Sequence, residues 1–207
     1  MTSTGPELTS TPVQLGVKPR PQPRPGERCD LCGEVVPDEH GHLVNVHTRA
    51  LLCGCRACYL LFTAPGAGGG LMLAVPDRFV ALRGLSLDAS TDALDVPVSV
   101  VFYVFSSVAG HVAAFYPGPA GAAESLLPLD AWEALVDAHP ELADVAPDVE
   151  AVLVRGSEAY VVPIDACYEL AGMLRMLWRG FDGGAEAQQA LDEFFTGVRI
   201  RAGVAEA

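Results

Sequence analysis

Apolar positions follow two different periods along this chain, and the switch between them divides it. Over residues 98–105, 111–116, 149–155 and 159–163 apolar residues alternate or run unbroken for a few positions, with valine and aromatics prominent, which predicts β-strands. The last two flank Gly156-Ser157-Glu158, a hairpin connection. Elsewhere the period lengthens to that of a helix. Asp130-Ala131-Trp132-Glu133 resembles a capping box, and Pro140 closes the helix it opens. Asp165 is placed to cap a second helix, with Tyr168, Ala171, Leu174, Arg175 and Trp178 spaced at three and four and Gly180 at its end. A third helix after Gly184 puts Ala187, Leu191, Phe194, Phe195 and Val198 on one stripe. These stripes are core, and the mixture predicts an α+β fold with an antiparallel sheet and C-terminal helices. Near the N-terminus, residues 43–47 alternate as a short strand and 49–53 read as its return.

Between these elements the pattern breaks in informative ways. Residues 1–26 are rich in Ser, Thr and Pro and are expected to be a disordered, proline-rich arm. A metal module is expected over 27–64, a glycine-rich connection over 65–96, and the α+β domain over 97–207. The run Pro65-Gly66-Ala67-Gly68-Gly69-Gly70 invites a phosphate-cradle reading, but no Lys-Ser/Thr follows it; a connection or a close backbone contact fits better. Residues 96–123 carry no formal charge, long enough to suggest a membrane span. Pro97, Gly110, His111, Pro117 and Pro119 interrupt the stretch, so two buried strands explain it and no span is expected.

Charge narrows the partners. The chain of 207 residues has 26 acidic against 13 basic side chains, a net charge of −13. No Lys or Arg falls between Gly84 and Val154, whereas eleven Asp or Glu do. Such a distribution repels phosphate backbones, so nucleic acid is not the expected partner; it suits a solubilising surface or a basic protein partner. The N-terminus lacks the apolar core of a signal peptide, and clustered cysteines without one imply reduced thiols in a cytoplasmic protein.

Five of the six cysteines sit between positions 29 and 58. Cys29-x-x-Cys32 and Cys55-x-x-Cys58 are spaced as ligand pairs of a four-thiolate, zinc-ribbon-like site, and Gly33 permits the positive φ that a tight knuckle turn needs. The expected metal ligands are therefore Cys29, Cys32, Cys55 and Cys58. Cys53 shares a strand face with Cys55 and is the alternate ligand, or else an outlying thiol or a small buried residue. His40, His42 and His47 lie between the pairs and are expected on the surface of a turn, since four thiolates already complete a tetrahedron. Zinc suits such a site, and so does the single iron of a rubredoxin-like centre, although Tyr59 rather than glycine follows Cys58. A closed zinc site folds its module without catalysing a reaction. Arg28 and Arg56 adjoin the cysteines and can offset the charge of the thiolates. A thiol oxidoreductase is the remaining reading; neither pair opens an evident helix, which counts against it. Cys167 falls on the apolar side of its helix. No hydrolytic constellation emerges, and no enzymatic activity is expected.

Several runs together resemble a known family: Cys29-Asp30-Leu31-Cys32-Gly33, the stretch from Cys53-Gly54-Cys55 through Cys58-Tyr59-Leu60-Leu61-Phe62, the glycine run, Val75-Pro76-Asp77-Arg78, Phe115-Tyr116-Pro117, Glu124-Ser125-Leu126-Leu127 and Trp178-Arg179-Gly180. They are similar to an uncharacterised bacterial family, a domain of unknown function encoded in nickel–iron hydrogenase gene clusters of actinobacteria. The resemblance covers about residues 27–203. It implies an accessory role in hydrogenase assembly or electron delivery, with a hydrogenase subunit or maturation protein as partner. Where that family often carries basic residues after the glycine run, this chain has Leu71 and Met72.

Overall fold

The computed structural model describes residues 28–84, 100–127, 129–180 and 183–204; the proline-rich arm and Asp88, Asp92 and Asp95 of the acidic stretch lie outside them. The fold is α+β, with two antiparallel sheets. The smaller sheet has strand order β2-β1-β3, from β1 (Gly41–Asn45), β2 (Leu51–Gly54) and β3 (Met72–Ala74). Asn45 opens the β1–β2 turn by accepting hydrogen bonds from the amides of His47 and Thr48 through its side chain, and Arg49 takes the left-handed conformation (φ 57°) that closes it.

Six strands make the larger sheet in the order β4-β9-β8-β5-β6-β7. They are β4 (Val80–Leu82), β5 (Val100–Ser106), β6 (His111–Gly118), β7 (Gly121–Leu127), β8 (Glu150–Arg155) and β9 (Glu158–Pro163). The 65–96 segment therefore supplies a strand to each sheet. Apolar runs without alternation have a plain cause: the centre of this sheet is covered on both faces. Val100, Phe102 and Val104 pack on one side with α3 (Ile164–Leu177) and α4 (Gly184–Arg201), around Leu170, Leu174, Leu191 and Phe195. Val101 and Tyr103 face the other side, beneath Trp132 of α2 (Leu129–Ala138) and Leu142 of the 3₁₀ turn Pro140–Asp144. Full burial of such side chains contributes about 1.5–3 kcal/mol each, and both layers depend on it. Among the described residues no helix is long and apolar enough to cross a membrane; the uncharged stretch at 96–123 supplies β5, β6 and the start of β7.

One sequence expectation is corrected here. Asp165 does not cap α3. Pro163 stands at the N-cap and Asp165 in the first turn, its Oδ1 accepting from the Ala166 amide while Oδ2 reaches back 2.8 Å to His42 of β1. The side chain serves the small sheet instead of its own helix end.

The two sheets share one core. Val44 of β1 and Val75, just beyond β3, are buried in the same cluster as Ile164 and Leu170. Arg49 at the hairpin turn donates two hydrogen bonds to the Glu124 carboxylate of β7, at 2.9 and 3.1 Å, and the Tyr168 hydroxyl of α3 donates to the Arg49 carbonyl. The cysteine-bearing module is thus seated against the larger sheet.

Candidate metal centre

Each cysteine pair is held by its own local structure. Around the first, the Cys29 amide donates to the Glu34 carbonyl and the Gly33 amide to the Cys29 carbonyl, with Gly33 at φ +75°. This is the tight turn that the glycine makes accessible. Arg28 donates to the Gly33 carbonyl, so its charge closes the knuckle. The second pair lies at a helix start. Cys55 is the N-cap of α1 (Arg56–Leu61), its sulfur accepting from the Cys58 amide at 3.5 Å. That corrects the expectation that neither pair opens a helix. The helix has only six residues, too few to carry a periodic signature.

α1 also explains why Tyr59 follows Cys58. The Tyr59 ring packs against Gly41, where an added Cβ would stand 2.4 Å from the ring, and its hydroxyl donates to the Val75 carbonyl. A helix turn after Cys58, anchored by that tyrosine, replaces a second glycine knuckle.

The two pairs are then clamped together. The Asp30 amide donates to the Cys53 carbonyl at 2.9 Å, and the Cys53 amide donates to Asp30 Oδ2 at 2.7 Å. The result brings the sulfurs of Cys29, Cys32, Cys55 and Cys58 within 4.8 Å of one another. Cys32 Sγ and Cys55 Sγ are 3.7 Å apart. A tetrahedron of sulfurs about 2.3 Å from a central zinc has edges of about 3.8 Å, whereas a disulfide needs about 2.05 Å. All six cysteines are free thiols. The four can hold a metal ion.

The electrostatics fit a cation. Burial raises the Cys29 thiol, but the backbone amides of Cys55, Cys32 and Leu31, together with the Cys32 side chain, outweigh it and hold the pKa at about 6. Cys58 moves the other way, pushed up to about 12 by Cys32, by burial and by the remaining thiols. At Cys32 the backbone amide of Glu34 and the Cys58 thiol lower the pKa, but the Cys29 and Cys55 thiols, with burial, outweigh them and leave it raised. Crowded sulfurs release a first proton readily and resist releasing the last, because each new thiolate repels the next. A central cation removes that repulsion.

Cys53 stands outside this group. It lies beside His40 and His42, one donor atom of each within 4.8 Å of the others. Burial first, then Asp30 and Cys29, raises its thiol. Cys167 is fully buried in the helical layer, and burial pushes its thiol far up. Sequence reasoning missed two parts of this arrangement. Asp30, inside the first knuckle, reads only as a polar spacer, and the His40–His42–Cys53 grouping depends on strand register. In the glycine run, Gly66, Gly68, Gly69 and Gly70 all have positive φ, and a Cβ on Gly68 would meet the Phe62 ring at 2.6 Å. The run is a close backbone contact over the end of α1.

The model of a family of unknown function, DUF5947, matches residues 28–202, which takes in the cysteine module and the larger sheet together. No curated protein and no solved structure matches the chain.

Proposed function

The chain belongs to the DUF5947 family of unknown function, and from that premise we propose that it is a non-enzymatic, cytoplasmic metal-binding accessory protein. In this reading Cys29, Cys32, Cys55 and Cys58 hold one zinc ion, whose role is to fix the shape of the module. The observation that carries it is the convergence of four sulfurs from two arms of the module, with an S–S separation that matches a tetrahedral zinc edge. When bound, the metal supplies no reaction: a four-thiolate zinc has no open coordination position. It supplies folding free energy, on the order of 10–16 kcal/mol, to a segment whose own sheet has three short strands. The residues of the chain do the rest. Arg28 closes the first knuckle, the Asp30 clamp joins the arms, and Tyr59 fixes α1 against β1.

The partner we propose is a nickel–iron hydrogenase subunit or maturation protein. Support comes from the resemblance of the cysteine, glycine-run and Trp178-Arg179-Gly180 segments described above. Deleting the gene and following hydrogenase large-subunit processing and activity tests it. Impaired maturation is expected, and unchanged processing would remove the accessory role. Anaerobic purification with metal analysis separates the chemistry: colourless zinc is expected, whereas red iron would make the protein an electron carrier, and titratable thiols without metal an oxidoreductase.

A further inference from the structure

Three donor residues outside the four-thiol cluster are arranged as a site of their own. In the β1–β2 ladder His42 lies directly opposite Cys53. Cross-strand partners project to the same face. His40 stands one residue before β1, and its ring lies beside that of His42. The two rings lie 4.8 Å apart between centroids, and one donor atom each from His40, His42 and Cys53 falls within 4.8 Å of the others.

The hydrogen bonds around the rings fix what each can offer. His40 Nδ1 lies 2.8 Å from the Pro37 carbonyl, an acceptor only, so Nδ1 carries the proton. His42 Nδ1 lies 2.8 Å from Asp165 Oδ2, a carboxylate, which selects the same tautomer. Both rings therefore keep the Nε2 lone pair for another partner. His40 Nε2 is buried and has no hydrogen-bond partner. An orphaned imidazole lone pair carries a desolvation cost that a hydrogen bond or a metal would relieve. A carbonyl behind one imidazole and a carboxylate behind the other is the outer arrangement that ordinarily orients metal-bound histidines.

We propose that His40, His42 and Cys53 form a second metal site, which takes a borderline divalent cation of the zinc class through two Nε2 atoms and one thiolate. Two imidazoles and one thiolate suit zinc among the common divalent ions. The site differs in kind from the four-thiol cluster because only three protein donors are present, which leaves one coordination position open. His40 and His42 line a cleft of about 1240 Å³, shared with Arg56, Asp77, Asp165 and Arg201. The fourth ligand is water or an added donor atom. Arg56 has no ion-pair partner among the described residues and offers its charge to an anionic ligand there. Asp165 is a positioning residue: it touches His42 and holds its tautomer.

Native mass spectrometry of the full chain, stripped of metal and titrated anaerobically with zinc, tests the assignment. The wild type is expected to take up two ions per chain. His40→Ala, His42→Ala and Cys53→Ser should each take up one, and that remaining ion shows that the module still folds. Asp165→Asn should weaken the second binding step by about 10–100-fold and leave the first unchanged. A wild type that binds a single ion which His42→Ala still retains, or three variants that all still bind two, would overturn the second site. If instead Cys32→Ser leaves the wild-type stoichiometry unchanged while His42→Ala lowers it, the four-thiol reading fails and the second site stands.

Discussion

Gly41 shows how one residue governs the geometry of the module. It is the only residue between two histidines, and its open side receives the Tyr59 ring. A methyl group there would overlap the ring, so Gly41→Ala should destabilise the chain by about 1–3 kcal/mol in urea denaturation. In a double-mutant cycle with Tyr59→Ala the two losses should be strongly non-additive, because the clash needs both partners; simple additivity would show that the ring and the glycine do not meet. Buried charge makes the second residue-scale case. Glu150 is 1% exposed and binds Arg78 through both oxygens, at 3.0 and 2.7 Å, while also accepting from the Ala146 amide. Arg78→Ala strands that carboxylate and should cost about 3 kcal/mol, with part of the loss recovered in Arg78→Ala/Glu150→Gln. Recovery of none of it would assign the loss to the stem of Arg78. The sequence showed Glu150 only as one more member of an acidic stretch. Its burial depends on Arg78, 72 positions away, and no local pattern announces such a pairing.

Elements were legible in proportion to their length and period. The amphipathic stripes of α3 and α4 and the apolar runs of β5, β6, β8 and β9 gave these elements nearly to their ends, because both faces of the sheet are buried and long helices repeat their pattern. β3 and β4, at three residues each, and the six-residue α1 are too short to show a period. Their existence depends on neighbouring strands and on the cysteine knuckles. The first cysteine pair could be read from spacing and Gly33 alone, whereas the placement of Cys53 required knowing that His42 is its partner across the ladder. The docking of the hairpin on β7 makes a prediction at this scale. The Arg49 hydrogen bonds hold the Glu124 carboxyl below its ordinary value of 4.5. A depressed carboxyl stabilises the folded state above the unfolded pKa and loses that contribution as the pH falls through the folded one. Both side chains are more than a third exposed, so the pair contributes less than about 1 kcal/mol. The stability difference between wild type and Glu124→Gln should be present at neutral pH and vanish below the carboxylate range; a difference that persists there would mean that Glu124 acts by packing.

On the scale of the whole molecule, charge proved a poor guide to surface. The acids between Gly84 and Val154 include Glu150 and Asp148, both buried, and Glu124, paired with Arg49. Asp148 Oδ1 accepts from the Ser107 amide, and its backbone takes φ +65° at the entry to β8. Fold and surface thus draw on the same residues. The larger sheet and its helices carry most of the buried apolar side chains, while the three-stranded sheet joins that core through Val44 and Val75. Loss of metal should accordingly expose the module first and leave the helical layer in place. Whether four sulfurs hold one ion that shapes this module is decided by metal content after a chelator challenge. Comparing Cys53→Ser with Cys32→Ser/Cys53→Ser isolates the four-thiol cluster, with far-ultraviolet circular dichroism recorded on both. One retained zinc is expected in the first protein, none in the second, and a helical signal that survives in each. Equal metal content in the two proteins would contradict the four-sulfur site.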